Sequence, residues 1–257
     1  MVNSVSVTTS TQDSATIASI AMNLLLLDNS QINGATARIS GRHLEHIQSV
    51  QGLKVGDSLR VGEINGLMGT GIIRALDKHG ASLALELDTP PPSPVPITLV
   101  LALPRPKMLR RILQTVTSMG VKRLYLIHSA RVEKSFWQSP FLSPEAILEQ
   151  LILGLEQAKD TVLPEISQHK LFKPFVEDQL SAVIGNSRTI VAHPTAAKPC
   201  PIGIDQPTTL IVGPEGGFIP YEVDKLETLG VEPVTIGDRI LRVETAVPAL
   251  ISRLFPA

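Results

Sequence analysis

The sequence of 257 residues contains one cysteine, Cys200, so no disulfide bond can form within the chain. A chain of this size with so little cysteine is typical of a reducing compartment, and we expect a cytoplasmic protein. No apolar run is long enough to cross a bilayer, so no membrane association is expected. The six histidines are scattered along the chain, and no metal site is predicted.

Several common motifs of nucleotide and hydrolase chemistry are absent as well. The sequence has no G-x-G-x-x-G after a first strand, no Walker A pattern and no G-x-S-x-G. These absences exclude the usual signals of a dinucleotide-binding domain, a P-loop and a serine hydrolase.

Basic residues are missing from residues 1–21, where nine residues are Ser or Thr and Asp13 is the single acid. A secretory signal has a basic start and a solid apolar stretch, and a mitochondrial presequence is rich in Arg. We therefore expect residues 1–21 to be a disordered tail, or Met22 to be the true start of the protein.

Positive charge is concentrated between Arg105 and Lys134, where eight Lys or Arg residues occur with one acid, Glu133. Such a local field suits a polyanion or a phosphate-bearing ligand. An ordinary solvated helix face explains the same charges equally well. The charge pattern alone leaves both interpretations open.

Prolines divide the chain into two parts. Residues 89–96 read TPPPSPVP, and so many prolines stop both helices and strands, which predicts a stiff linker. Residues 22–88 have short β-like runs and the hairpin signal Asn65-Gly66, which together predict a small β-barrel with one helix near Gly41–Val50. Its strands are predicted at Ala37–Ile39, Ser58–Val61, Met68–Leu76 and Ser82–Leu87.

The large part, residues 97–257, alternates apolar strand-like runs with helical patterns. This alternation predicts an α/β domain with a parallel sheet covered by helices on both faces. Its strands are predicted at Ile97–Leu103, Arg123–Ser129, Ile166–Phe172, Thr189–His193, Thr209–Val212 and Pro233–Ile236. Its helices are predicted at Pro106–Met119, Pro144–Asp160, Pro174–Ile184, Pro220–Leu229 and Glu244–Leu254.

Turns with glycine or polar residues follow the last three predicted strands. In a parallel sheet such turns lie at the carboxyl edge, where open α/β folds bind ligands. Glycine also lets backbone amides approach a ligand closely. The three turns are therefore predicted to form one pocket, with candidate ligand-binding residues Ala192, His193, Pro194, Gly213, Pro214, Glu215, Gly216, Gly217, Ile236, Gly237, Ile240, Leu241 and Arg242.

GPEGGF at residues 213–218, followed by a helix and by IGDRILRVETA at residues 236–246, resembles the RsmE family of ribosomal RNA methyltransferases. The resemblance covers nearly everything from Met22 onward. Further similar segments are the helix at Pro106–Met119 with Gln114 and the following Gly120-Val121, Glu156-Gln157 with Pro164-Glu165-Ile166, and His46 with Leu53–Asp57 in the small part.

The resemblance implies a fold, an activity and an assembly. The fold is a SPOUT-type parallel sheet with a C-terminal trefoil knot, preceded by a PUA-like barrel. The cofactor is S-adenosylmethionine, bound by the three turns, and the reaction methylates N3 of a uridine in 16S ribosomal RNA. The protein is expected to be a homodimer, with active sites at the subunit interface, that acts on ribosomal RNA or the small ribosomal subunit.

The chemistry of this reaction suggests roles for polar residues. N3 of uracil becomes nucleophilic when it loses its proton, and negative charge then spreads onto O2 and O4. Arg242 is the first candidate for stabilising that charge, with Arg110 or Arg105 from either subunit as others. Glu244 is the candidate base and Glu215 a second one, although Glu244 also suits the start of a helix.

The basic stretch and the aromatic loop after it supply the candidates for RNA binding. Trp137 can stack on a base, or it can anchor its loop by burial, and the sequence does not decide between these roles. The candidates are Arg105, Lys107, Arg111, Arg131, Lys134 and Trp137.

The sequence departs from the family pattern at Gln51, Asp160 and Val243, where an arginine, a basic residue and a threonine are usual. The segment Ser135–Pro140 is also unusual. Two alternatives therefore stay open: a methyltransferase of the same fold that modifies a different RNA site, and an RNA-binding homologue without turnover.

Overall fold

The computed structural model describes residues 23–256, without the side chain of Val50. The tail expected at residues 1–21 and the alternative start at Met22 lie outside the described residues. Within the described part, the chain forms two six-stranded sheets, one on each side of the Pro-rich segment.

The small sheet has the strand order β1-β4-β5-β6-β3-β2. Its strands are β1 (Leu25–Leu27), β2 (Ile32–Asn33), β3 (Thr36–Ile39), β4 (Ser58–Glu63), β5 (Met68–Leu76) and β6 (Ala81–Thr89). β1 runs parallel to β4, and the other neighbours are antiparallel. In the described part of the chain no pairing joins the edge strands β1 and β2, so the sheet is open there.

The sequence predicted the four longer strands of this sheet and missed β1 and β2. A strand of two or three residues is too short to show the alternation that identifies a strand. Helix α1 (Gly41–Glu45) continues as a wider helical turn over His46–Val50, as predicted. The core of this domain is apolar and closely packed, with Leu27, Ile39, Ile47, Val61, Ile73 and Leu83 fully buried.

The Pro-rich segment is tied to the large domain at its end. β6 extends to Thr89, so the linker predicted at 89–96 begins inside a strand. Residues 90–96 then contain neither helix nor strand. The amide of Val95 donates a hydrogen bond to the carbonyl of Gly120 at 3.1 Å.

The large sheet has the order β12-β10-β11-β7-β8-β9, and all neighbouring strands are parallel. Its strands are β7 (Ile97–Ala102), β8 (Arg123–Ile127), β9 (Glu165–His169), β10 (Arg188–Ala192), β11 (Thr208–Val212) and β12 (Glu232–Val234). Its helices are α2 (Pro106–Ser118), α3 (Pro144–Ala158), α4 (Phe172–Pro174), α5 (Leu180–Ile184), α6 (Pro220–Glu227) and α7 (Val243–Leu254). Every residue of β7 and β11 is buried, as expected for a parallel sheet covered on both faces.

The predicted strand Ile166–Phe172 is too long. β9 ends at His169, and Phe172 begins α4, which continues as a wide helical turn over Phe175–Gln179. Phe172, Phe175 and Val176 are buried with a spacing of three and four residues. That spacing belongs to one face of a helix, so core burial decided the local structure here.

A buried carboxylate joins the two domains. Glu156 of α3 is 3% exposed; its oxygens accept two hydrogen bonds from Arg42 at 2.8 Å and face His43 Nε2 at 2.9 Å. Burial alone would raise the pKa of Glu156, but the hydrogen bonds from His43 and Arg42 and their positive charge outweigh burial and hold the pKa below its ordinary value. The ionised carboxylate therefore stabilises the junction.

We predict that Glu156→Gln lowers the free energy of unfolding at neutral pH and that this loss shrinks in acid. Because the folded-state pKa is lowered, the contribution of Glu156 is complete above the ordinary value of 4.5 and disappears as the pH falls through the folded-state pKa. Urea unfolding of both proteins from pH 7 to pH 3 measures the difference. Glu165→Gln, at an exposed position of β9, is the control and should show little effect; an equal loss at every pH would contradict the prediction.

Candidate active site

Three neighbouring strands of the large sheet end side by side. β10 lies between β11 and β12, with Ala192 opposite both Val212 and Val234. The alignment continues for one further residue, because the His193 amide donates to the Val234 carbonyl at 2.9 Å. The three turns that the sequence singles out therefore begin at the same edge of the sheet.

A cleft at this edge is formed by the turns after β10 and β12 and by α7. Its wall contains seven of the predicted ligand-binding residues, namely Ala192, His193, Pro194, Ile236, Gly237, Ile240 and Leu241. The other lining residues, Val234, Thr235, Arg239, Ala246 and Leu250, are not among the predicted ligand-binding residues. Ala246 and Leu250 are four residues apart on α7, so the helical spacing was the available signal.

The glycine turn at 213–217 adjoins this cleft but does not belong to its wall. The Gly217 amide donates to the Pro214 carbonyl at 2.8 Å, and Gly217 has a φ of 71°, which favours glycine. A Cβ on Gly213 would lie 3.1 Å from the Phe218 ring and 3.2 Å from the Phe218 amide nitrogen. Tight packing of the turn on itself thus requires glycine at these positions.

Two residues of the basic stretch hold the glycine turn in place. The Arg105 amide donates to Glu215 Oε1 at 3.0 Å, and the Arg131 guanidinium donates to the Gly216 carbonyl. The Arg131 side chain also lies against Gly216, where an added Cβ would come within 3.0 Å of Arg131 Cδ. Glu215 therefore connects the turn to the start of α2.

Glu222 connects the same region to the loop after β8. It is 2% exposed, and its two oxygens accept hydrogen bonds from the Ala130 amide at 2.7 Å and the Ile219 amide at 3.0 Å. The sequence did not single out Glu222 as a site residue. Glu222 comes three residues after Ile219, the residue that precedes α6. This spacing is typical of helix capping and was the available signal in the sequence.

The catalytic candidates Arg242 and Glu244 lie at the start of α7. Arg242 is exposed, precedes the helix and makes no capping hydrogen bond with its side chain. Glu244 is half-buried in the first turn, where the helix dipole favours a negative charge. Arg110 lies on α2, which packs against α7, and its Cζ is 5.0 Å from the centroid of the Phe141 ring.

Val243, a departure from the family pattern, is explained by burial. It is 5% exposed and belongs to the core of the large domain. An apolar residue is therefore stabilising between the two polar candidates. Asp160, another departure, is 2% exposed and pairs with Lys122 Nζ at 2.5 Å.

The RNA-binding candidates differ in their surroundings. The five basic ones are exposed, namely Arg105, Lys107, Arg111, Arg131 and Lys134. Trp137 is half-buried, and its indole Nε1 donates to His128 Nδ1 at 3.0 Å. Burial lowers the pKa of His128, which favours the neutral ring whose Nδ1 can accept that hydrogen bond.

Residues 23–256 contain no group of His, Cys, Asp or Glu placed to hold a metal ion. Across the same described range, no helix has the length and apolar character to cross a membrane. Cys200 is 1% exposed, and burial raises the pKa of its thiol, so it is not an activated nucleophile.

Comparison with known proteins shows which protein family the chain resembles. Residues 91–255 match the RNA methyltransferase domain. Ribosomal RNA small subunit methyltransferase E of Treponema pallidum is 30% identical over 241 residues, which cover 89% of this chain and 88% of that protein.

Solved structures share the fold. Ribosomal RNA small subunit methyltransferase E from Neisseria gonorrhoeae, bound to S-adenosyl methionine, has a TM-score of 0.71 at 22% identity, covering 90% of this chain and 95% of that one. A putative methyltransferase from Legionella pneumophila, in complex with the bound cofactor SAM, has a TM-score of 0.71 at 21% identity, covering 91% and 96%. At these identities the similarity establishes the architecture alone.

We predict that Glu222→Gln destabilises the protein by about 1–3 kcal/mol, because an amide has one acceptor oxygen and leaves a buried N–H group without its partner. Urea unfolding at pH 7 measures the change. Glu227→Gln, an exposed position of the same helix, is the matched control and should change stability little. Equal stability of the two variants would contradict the bracing role of Glu222.

Proposed function

The chain belongs to the RNA methyltransferase family that includes ribosomal RNA small subunit methyltransferase E, and from this premise we propose that it methylates N3 of a uridine in small-subunit (16S) ribosomal RNA, with S-adenosylmethionine as the methyl donor. The observation that carries the proposal is the 30% identity to the Treponema pallidum enzyme over 89% of this chain. The RNA methyltransferase domain, matched over residues 91–255, contains all three turns of the candidate site.

The residues at the carboxyl edge fit this cofactor. Ile236, Leu241 and Leu250 give the cleft an apolar wall, which suits an adenine ring, and the neighbouring turns present main-chain groups for its polar edge. The predicted cofactor-binding residues of the first and third turns surround this wall, and the glycine turn adjoins it. When bound, S-adenosylmethionine supplies a methyl group that is already electrophilic.

The reaction requires the protein to orient the uridine and to remove the proton from its N3. Arg242 is the proposed cation for the negative charge on O2 and O4, since its side chain is exposed beside the cleft and has no capping role. Glu244, half-buried two residues later, is the proposed base for N3. Arg110, on the helix packed against α7, is a further candidate for contact with the substrate.

The proposed RNA surface is formed by the exposed basic residues at the start of α2 and in the loop after β8, namely Arg105, Lys107, Arg111, Arg131 and Lys134. Arg105 and Arg131 contact the glycine turn through the hydrogen bonds described above, so RNA bound along Lys107, Arg111 and Lys134 would lie next to the cofactor site. Trp137 borders this surface with part of its ring exposed, and stacking on an RNA base is its proposed role.

The trefoil knot is part of the proposal. The loop after β10 contacts the C-terminal segment at two places: the Cys200 amide donates to the Thr235 carbonyl at 2.7 Å, and the Gly203 and Ile204 amides donate to the Arg253 and Leu254 carbonyls at 3.0 and 2.8 Å. The loop after β10 thus contacts the chain at Thr235, just after β12, and again at Arg253 and Leu254, at the end of α7. Contacts at both places support threading of residues 235–254 through that loop.

The assembly and the small domain complete the proposal. Ile240 and Leu241 are 83% and 37% exposed in the turn beside the cleft, and exposed apolar residues at a site support a covered interface, here that of a homodimer.

The small sheet is proposed to act as a PUA-like RNA-binding domain. With ribosomal RNA as the proposed substrate, the protein is proposed to act in the cytoplasm.

We expect a strain that lacks this protein to lose one 3-methyluridine from small-subunit ribosomal RNA. Nuclease digestion of that RNA and mass spectrometry of the fragments measure the modification. Loss of a different methyl group would instead support another RNA target. An unchanged modification map would reject the proposed function.

We expect Arg242→Ala to reduce kcat for RNA methylation about 100-fold or more, because removing a group that stabilises developing charge costs that much. Cofactor binding, measured by calorimetry, should stay within a few-fold. Arg123→Ala is the control, since Arg123 is exposed at the amino end of β8, the opposite edge of the sheet. Near-normal turnover of Arg242→Ala would remove Arg242 from the mechanism.

A further inference from the structure

A second groove lies at the junction of the two domains. It has a volume of about 470 Å³, within the roughly 300–1,000 Å³ typical of ligand pockets. The small domain contributes most of its wall, including His46, Gln51 and Arg60, and the large domain contributes Lys159 from the end of α3. We call it the junction groove.

The charge of the junction groove is positive. Arg60 and Lys159 line it, and none of the lining residues is acidic in the part of the chain that the structure describes. Two nearby carboxylates are already paired, since Glu156 binds Arg42 and Asp160 binds Lys122. By contrast, the groove beside β10 and α6 has Asp224 and Glu227 in its wall, which would repel a phosphate.

Lys159 is held in an unusual conformation. Its φ of 57° is left-handed, a region that favours glycine. The chain must turn there because the next residue is anchored: the Asp160 amide donates to Leu155, and its carboxylate binds Lys122 and the Val162 amide. A long basic side chain is thus kept beside the groove at a position where glycine would be less strained.

The rest of the wall suits a base and a sugar. Leu53 and Leu59 give apolar surface, and Gln51 and Ser58 give hydrogen-bonding groups. Arg60 and Lys159 are the Lys and Arg residues that the wall of this groove contains.

We propose that the junction groove binds one nucleotide of the RNA substrate, away from the methylated uridine, with Arg60 and Lys159 on its phosphate. The proposal rests on the proposed function, because it takes ribosomal RNA as the substrate. The groove would fix the position of the RNA relative to the large domain, since Lys159 belongs to one domain and Arg60 to the other.

The test compares variants that remove a positive charge of the groove with variants that keep it. Lys159→Gly removes the charge and fits the left-handed backbone, whereas Lys159→Arg keeps the charge in the same backbone. Arg60→Ala removes the second charge. Arg74→Ala, at an exposed position of β5 outside the groove, is its matched control.

The full-length protein is assayed with small subunits from the deletion strain and with their naked RNA. Lys159→Gly and Arg60→Ala should raise KM for the RNA several-fold and leave kcat and cofactor affinity unchanged. The slope of log affinity against log salt should fall by about one for each variant. Lys159→Arg and Arg74→Ala should behave like the wild type.

The proposal fails if Lys159→Gly and Arg60→Ala keep the wild-type KM and salt slope. It also fails if they weaken binding to whole subunits and not to naked RNA, because the groove would then contact a ribosomal protein. An inactive wild-type protein would overturn the proposed function instead, so the two failures are distinguishable.

Discussion

The parallel hydrogen bonding of β10 with β11 and β12 is the constraint on which the candidate site depends. In this register Ala192 is paired with Val212 on one side and with Val234 on the other. The turns that follow these residues therefore begin at the same edge of the sheet. Residues more than forty positions apart in the chain thereby share a cleft. The turn after β10 and the turn after β12 would not form a site separately, since the wall of the cleft contains residues of both turns and of α7.

Carboxylates then connect separate segments of the molecule: Glu222 is buried near this edge, Glu156 is buried at the domain junction, and Glu215 is exposed in the glycine turn. Glu222 binds the loop after β8, Glu215 binds the start of α2, and Glu156 binds the small domain. In the first two cases the partner is a backbone amide. Backbone partners of this kind set the position of a loop without specifying its side chains, so basic residues on these loops stay exposed for a polyanion.

The sequence predicted much of this architecture because the large domain follows simple physical rules. Buried parallel strands are continuous apolar runs, prolines mark the starts of α2, α3 and α6, and glycines follow the ends of α2 and α6, so these elements were identified within a few residues. The predictions were less accurate where a strand is very short or where burial in the core determines the local structure. β1 and β2 are too short to show a period, and Phe172–Gln179 is helical because its apolar spacing packs on the core.

Residue chemistry in the sequence by itself determined the class of fold, the two-part organisation, the positions of the three turns and the family resemblance. The tertiary structure decided which of those residues meet: that Ala192 to Pro194 and Ile236 to Leu241 share a cleft while Gly213 to Gly217 pack against Arg105 and Arg131. It also brought Lys159 and Arg60 to one groove. Local patterns record burial and turns, whereas contacts between distant segments depend on strand order and on the closure of one domain against another, which no local pattern contains.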